Sequence, residues 1–164
     1  MLLFRRTAFA VSAIGCWAAL AAPASATAPT RQPVQIPQSF PIGGICAFTV
    51  QLDVLVNRET LTTFSDGTQR ASGTLKVRLT NTTSGESIIV NASGPATFRT
   101  LSDGTVVQTG RGLGLQPFPA ESSITGKAEF LQFSGPEMLK FYPDGSFQEV
   151  KRGHVKLDVC AALS

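Results

Sequence analysis

The chain holds few residues able to carry acid–base or nucleophilic chemistry. Its one histidine, His154, stands between Arg152 and Lys156 on a strand-like run. A serine triad needs a histidine held between a nucleophile and a carboxylate. Ser93-Gly94 and Ser134-Gly135 lack the flanking glycines of a nucleophile elbow. A zinc site needs several His or Cys ligands, which one histidine and a paired set of cysteines do not supply. The Asp-Gly pairs at Asp66, Asp103 and Asp144 lack the alternating carboxylates of a calcium loop. The acidic residues are spread singly, so a glycosidase-type carboxylate pair stays open. No catalytic, cofactor-binding or metal-ligating residue is assigned. Were the chain an enzyme, Tyr142, Glu149, His154 and Asp158 would be the groups to test.

Gly110-Arg111-Gly112-Leu113-Gly114-Leu115 has the spacing G-x-G-x-G. No helix follows to offer its N-terminus to a phosphate. On a strand, alternate glycines share one face, which serves tight packing or a sharp bend. The rival reading is that the missing side chains leave room for a ligand, with Arg111 on the opposite face. Phe48, Phe64, Phe98, Phe130, Phe133, Phe141 and Phe147 fall in or beside strand-like runs, so they are core residues or the lining of an apolar cavity. Asn81-Thr82-Thr83 and Asn91-Ala92-Ser93 match the glycosylation sequon.

These groups ride on a chain that begins with an export signal. Arg5 and Arg6 precede an apolar stretch from Thr7 to Leu20, and Ala24-Ser25-Ala26 is a small-residue cleavage site. The expected signal peptide is 1–26, cut after Ala26, and no integral membrane span follows it. A loose twin-arginine pattern and a lipoprotein-like Ala13-Ile14-Gly15-Cys16 are the disfavoured alternatives. The chain has 14 basic and 11 acidic residues; without Arg5 and Arg6, twelve face eleven. The basic residues are scattered along the mature sequence, with Lys151-Arg152 the only adjacent pair, so neither nucleic acid nor an anionic membrane is expected as a partner. Cys16 leaves with the leader. Cys46 and Cys160 then pair by default in an exported chain.

Thr27 to Pro41 is a proline-spaced arm, read as a spacer in its first half; the second half, with Val34, Ile36 and Phe40, could strap across the domain. The domain proper is 42–164. From Cys46 to Val56 the apolar residues alternate with polar ones, the period of a strand buried on one face. A second strand over Glu59–Phe64 runs into Asp66-Gly67, where both residues tolerate positive φ and mark a hairpin. Further strands are expected near 74–81, 87–92, 97–101, 105–110, 124–133, 139–142 and 147–160, and no stretch has helical periodicity. Short turns between them predict an all-β antiparallel meander of about eight strands. Such a sheet must hide its edges, and a closed β-barrel is favoured over a sandwich. The disulfide would bridge the barrel seam, with Cys160 at a bulge or just past the strand end.

Cys46-Ala47-Phe48-Thr49-Val50, Val77 through Gly85, Asn91-Ala92-Ser93-Gly94-Pro95 and the ending Asp158-Val159-Cys160-Ala161-Ala162-Leu163 resemble a family of small secreted actinobacterial proteins of uncharacterised function. The resemblance covers nearly all the mature domain. It implies an extracellular location and the terminal disulfide. The meander is more distantly similar to the allene oxide cyclase and dirigent barrels, in fold only, since no residue carries over their active sites.

The expectation for function is a non-enzymatic exported β protein that binds a small apolar molecule or an envelope component, with no cofactor. The alternatives are a cyclase or isomerase that shapes a hydrophobic substrate, and a structural envelope module with a solid core. A cavity separates the first two from the third, and titratable groups converging inside it separate enzyme from binder.

Overall fold

A computed structural model describes residues 28–164. The expected leader and its cut after Ala26 lie outside them. Fourteen strands run through the described residues: β1 (Thr30–Pro33), β2 (Ser39–Ile42), β3 (Val50–Asn57), β4 (Thr60–Thr63), β5 (Gln69–Ser72), β6 (Leu75–Asn81) and β7 (Ser87–Asn91), then β8 (Ala96–Thr100), β9 (Val106–Gly110), β10 (Leu113–Phe118), β11 (Glu129–Ser134), β12 (Glu137–Phe141), β13 (Phe147–Lys151) and β14 (His154–Asp158). A one-turn helix, α1 (Val159–Ala162), follows, with the Asp158 carboxylate accepting from Ala161 N. Among the described residues no helix is long and apolar enough to cross a membrane.

The strands form three antiparallel sheets, ordered β1-β4-β5-β8-β9-β12-β13, β2-β3-β6-β7 and β10-β11-β14. No sheet closes on itself, so the expected barrel gives way to a sandwich-like stack. The reason lies in the connections. Three hairpins, β4-β5, β8-β9 and β12-β13, lie side by side in the seven-stranded sheet. Between them the chain leaves for the other sheets through β6-β7 and β10-β11. Consecutive pairs therefore alternate between layers, and a single meander cannot close.

Two cores fill the gaps between layers. One gathers Val50, Leu52, Val54, Val77, Leu79 and Val90 from the four-stranded sheet with Phe130, Val159 and Leu163. The other gathers Phe118, Leu131, Phe133 and Leu139, flanked by Phe141 and Phe147. Phe130 belongs to the first and its neighbours Leu131 and Phe133 to the second, so β11 is buried on both faces. Its Glu-Phe-Leu-Gln-Phe run lacks clean alternation for that reason.

Several expected elements shift. The alternating run from Cys46 becomes a strand only at Val50, and the first half of the expected strand at 124–133 is turn. The arm is not a free spacer from Thr30 on, because β1 pairs with β4 and Val34 N donates to Glu59 O. Each Asp-Gly turn keeps Asp out of positive φ and assigns that region to glycine alone, at Gly67, Gly104 and Gly145. In the first, Phe64 N donates to Thr68 O while Gly67 N donates to Phe64 O, a type I turn closed by a glycine bulge. Cys160 sits in α1, past the end of β14, and bonds Cys46 across 114 residues. With no barrel seam to bridge, the disulfide instead ties the β2–β3 connection of the four-stranded sheet to the helix after the three-stranded one.

Candidate functional site

The inner face of the seven-stranded sheet has one register row of small residues. Leu61, Ala71, Ala96, Gly110 and Glu137 are successive cross-strand partners. The two alanines, Ala71 and Ala96, leave a hollow that the opposing sheet does not fill, while the Glu137 carboxyl takes the space over Gly110. The result is a cavity of about 210 Å³. Its walls are apolar: Phe98 and Leu139 on one side, Leu113, Leu115 and Phe133 on the other, with Leu75, Ala92 and Val34 at the rim. Two glutamates, Glu59 and Glu137, and two glutamines, Gln108 and Gln116, are its polar groups. A second hollow, about 520 Å³, lies under β1 and shares Val34, Ala71 and Phe98 with the first.

Glu137 is the unusual group. Its Oε1 accepts from Gln108 Nε2 at 3.2 Å, while Oε2 is buried without a hydrogen-bond partner. Burial pushes its carboxyl above the ordinary carboxylate range, the Gln108 bond offsets part of this, and the Glu149 charge adds to the rise. Burial raises Glu59 as well. Titratable groups displaced by desolvation inside an apolar hollow are the usual mark of a binding or acid–base site.

The four residues considered for catalysis are not in this cavity. Glu149 is 2 % exposed and belongs to an ion cluster on β13. Its Oε1 accepts from Arg152 Nε at 2.6 Å, and its Oε2 accepts from Arg152 Nη2 at 2.6 Å and Ile124 N at 3.1 Å. The same Nη2 donates to Glu129 Oε2 at 2.7 Å, which holds Glu129 down at about 2. Tyr142 Oη bonds Gln148 on the outer face, Asp158 caps α1, and His154 is exposed on β14. Among the described residues no group of three His, Cys, Asp or Glu could hold a metal.

The glycine run makes no room for a ligand. A side chain at Gly110 would overlap the Glu137 carboxyl, one at Gly114 would overlap the Phe133 ring, and one at Gly112 would strike the backbone of Gly94. All three spaces are already filled by the protein. The first sequon is closed too: Asn81 is 4 % exposed, and its Nδ2 donates to Leu163 O at 2.8 Å. Glu59 and Glu137 escaped sequence reasoning because a lone Glu near a strand start reads as solvent-facing. The register of Gly110 and Glu137, the available signal, appears only once strands are paired.

Compared with protein families, curated proteins and solved structures, the chain matches none.

Proposed function

We propose that this is an exported, non-enzymatic β protein that binds a small, mainly apolar molecule bearing a hydrogen-bond donor. The observation that carries the reading is the unpartnered Oε2 of Glu137 in an apolar cavity. A buried acceptor without a partner costs about 1–3 kcal/mol, and a ligand hydroxyl or amine would remove that cost. Size narrows the class. An apolar cavity of about 150 Å³ accommodates benzene, so 210 Å³ fits a single ring with one short substituent. A lipid or sterol would also need the neighbouring hollow. The hollow under β1 offers the way in, with Val34 between the two. Export rests on the leader composition and on the resemblance to secreted proteins.

Native mass spectrometry of the protein from its own culture medium, before and after unfolding, tests this. The expected result is an adduct below about 200 Da that leaves on unfolding, with benzylamine or phenol raising Tm where toluene does so less. A bare mass together with no stabilisation by any of the three would overturn it.

A second reading, a cyclase or isomerase, draws on the burial-raised carboxyls of Glu59 and Glu137, since burial that favours the protonated form suits a general acid. Turnover separates the two: conversion of the bound compound by the unaltered protein, lost in Glu137→Gln, would decide for the enzyme, and its recovery unchanged would decide for the binder.

A further inference from the structure

The outer face of the seven-stranded sheet gathers cations that are far apart in sequence. One register row crosses the whole sheet: Arg31, Thr62, Arg70, Thr97, Thr109, Met138 and Lys151 are successive partners. The next outward row contains Arg99, Val107, Lys140 and Gln148. Arg111 lies one step beyond β9, beside Arg70. Half of the twelve cations that follow the leader thus share one face, and neither row holds a carboxylate. Among the described residues, the ion pairs all involve Arg152, so none of these six is in contact with a carboxylate, although Arg99 and Lys140 lie near enough to add to the lowering of the Asp66 and Asp103 carboxyls by their turn hydrogen bonds. The three Asp-Gly aspartates sit in the turns at one end of this sheet, each bonded to its own turn backbone.

The face is also grooved. A hollow of about 350 Å³ is bounded by Arg70, Pro95 and Arg111 and floored by Thr97 and Thr109. A second, about 560 Å³, continues over the same two threonines to Arg99, Val107 and Leu101, with Asp66 and Thr68 at its far end. Sharing that floor, the two make one channel along β8 and β9, with Arg70 and Arg111 at one end, Arg99 beside Asp66 at the other and hydroxyls between.

We propose that this channel binds a linear acidic polysaccharide, with Arg70, Arg111 and Arg99 pairing its carboxylate or sulfate groups and Thr97 and Thr109 meeting its hydroxyls. Guanidinium forks match both anions in a bidentate way that ammonium groups do not. A single-stranded nucleic acid is the poorer fit, because the channel has no aromatic ring on which a base could stack. A membrane is poorer too, because a concave channel suits one chain and not a flat headgroup layer. The site is separate from the inner cavity, which lies on the opposite face of the same sheet.

Titration calorimetry of the purified chain with a heparin-derived octasaccharide tests the proposal, with a neutral dextran octasaccharide, an eight-nucleotide DNA strand and phosphatidylglycerol vesicles as competitors. The acidic octasaccharide should bind at low salt and weaken as salt rises. Arg70→Gln with Arg111→Gln should weaken it at least about tenfold, the scale of lost charge-assisted hydrogen bonds. Lys76→Gln with Arg78→Gln, exposed cations on β6 of the other sheet, should leave it within about twofold. The single Arg111→Gln variant serves if the double variant does not fold. Absence of binding, equal losses in the two double variants, or tighter binding of DNA or vesicles would overturn it.

Discussion

The carboxyl of Glu137 occupies the space that a side chain on its cross-strand partner Gly110 would take. Gly110 is therefore a packing requirement of a buried acid. Gly110→Ala should push Glu137 off its rotamer and destabilise the fold by about 1–3 kcal/mol, the usual cost of overpacking. Adding Glu137→Ala should restore part of the loss, so that the double variant is more stable than the sum of the singles. Urea unfolding of all four proteins measures the coupling; additive effects would show that the two residues do not compete for space.

Glu137 and Glu59 both have carboxyls raised by burial above the ordinary 4.5. A carboxyl raised in the folded state is stabilising below the unfolded value, and that contribution is lost as pH rises through the folded value. Glu137→Gln removes its own ionisation and leaves Glu59 unchanged. The variant should gain on the parent protein from pH 4.5 upward, the gain levelling off once the folded carboxyl has ionised. Paired unfolding midpoints between pH 4 and pH 8 check the slope. A constant difference across that range would place the proton elsewhere.

How much of this was legible in the sequence depends on which contacts decide each feature. The β class, the Asp-Gly hairpins and the Cys46–Cys160 bond follow from local pattern and from cysteine count. The three-sheet layering does not, because nothing in β6-β7 or β10-β11 states that the chain changes layer there. Alternation even misleads at β11, where Phe130 and Leu131 are both buried against different sheets. The inner cavity comes from Ala71 and Ala96 falling in one register row with Glu137, and the cationic face from Arg31, Arg70 and Lys151 falling in the next. Both are properties of pairing across strands. In sequence the same residues read as unremarkable small side chains and scattered charge.

The disulfide closes a loop of 114 residues and joins two layers that share the first core. The chain-entropy model assigns such a loop about 4–5 kcal/mol. Cys46→Ala with Cys160→Ala should lower the unfolding free energy measured in urea by that amount while keeping the β-sheet circular dichroism at low temperature. A loss of all structure would mean the two cores cannot hold the layers together without the covalent tie.

Arg152 is the hub of the remaining buried charge. Its guanidinium spans Glu149 and Glu129, accepts no substitute geometry from a point charge, and stacks 5.5 Å from the centroid of the fully buried Phe118 ring. Removing it leaves the Glu149 carboxylate, at 2 % exposure, with only the Ile124 amide. Breaking a buried pair from one side costs about 3–5 kcal/mol, whereas replacing both partners with apolar groups can cost far less. Arg152→Ala should therefore fall in that range, Arg152→Lys should recover only part of it, and Arg152→Met combined with Glu149→Met should cost less than Arg152→Ala alone. The pH signature is separate. Glu129, held at about 2 by Arg152, contributes stability that is present above 4.5 and lost as pH falls towards 2. Arg152→Ala should flatten the Glu129 part of that acid limb. Unfolding midpoints of the parent and variants between pH 2 and pH 6 read both effects, and an unchanged acid limb in Arg152→Ala would move the source of acid sensitivity away from Glu129.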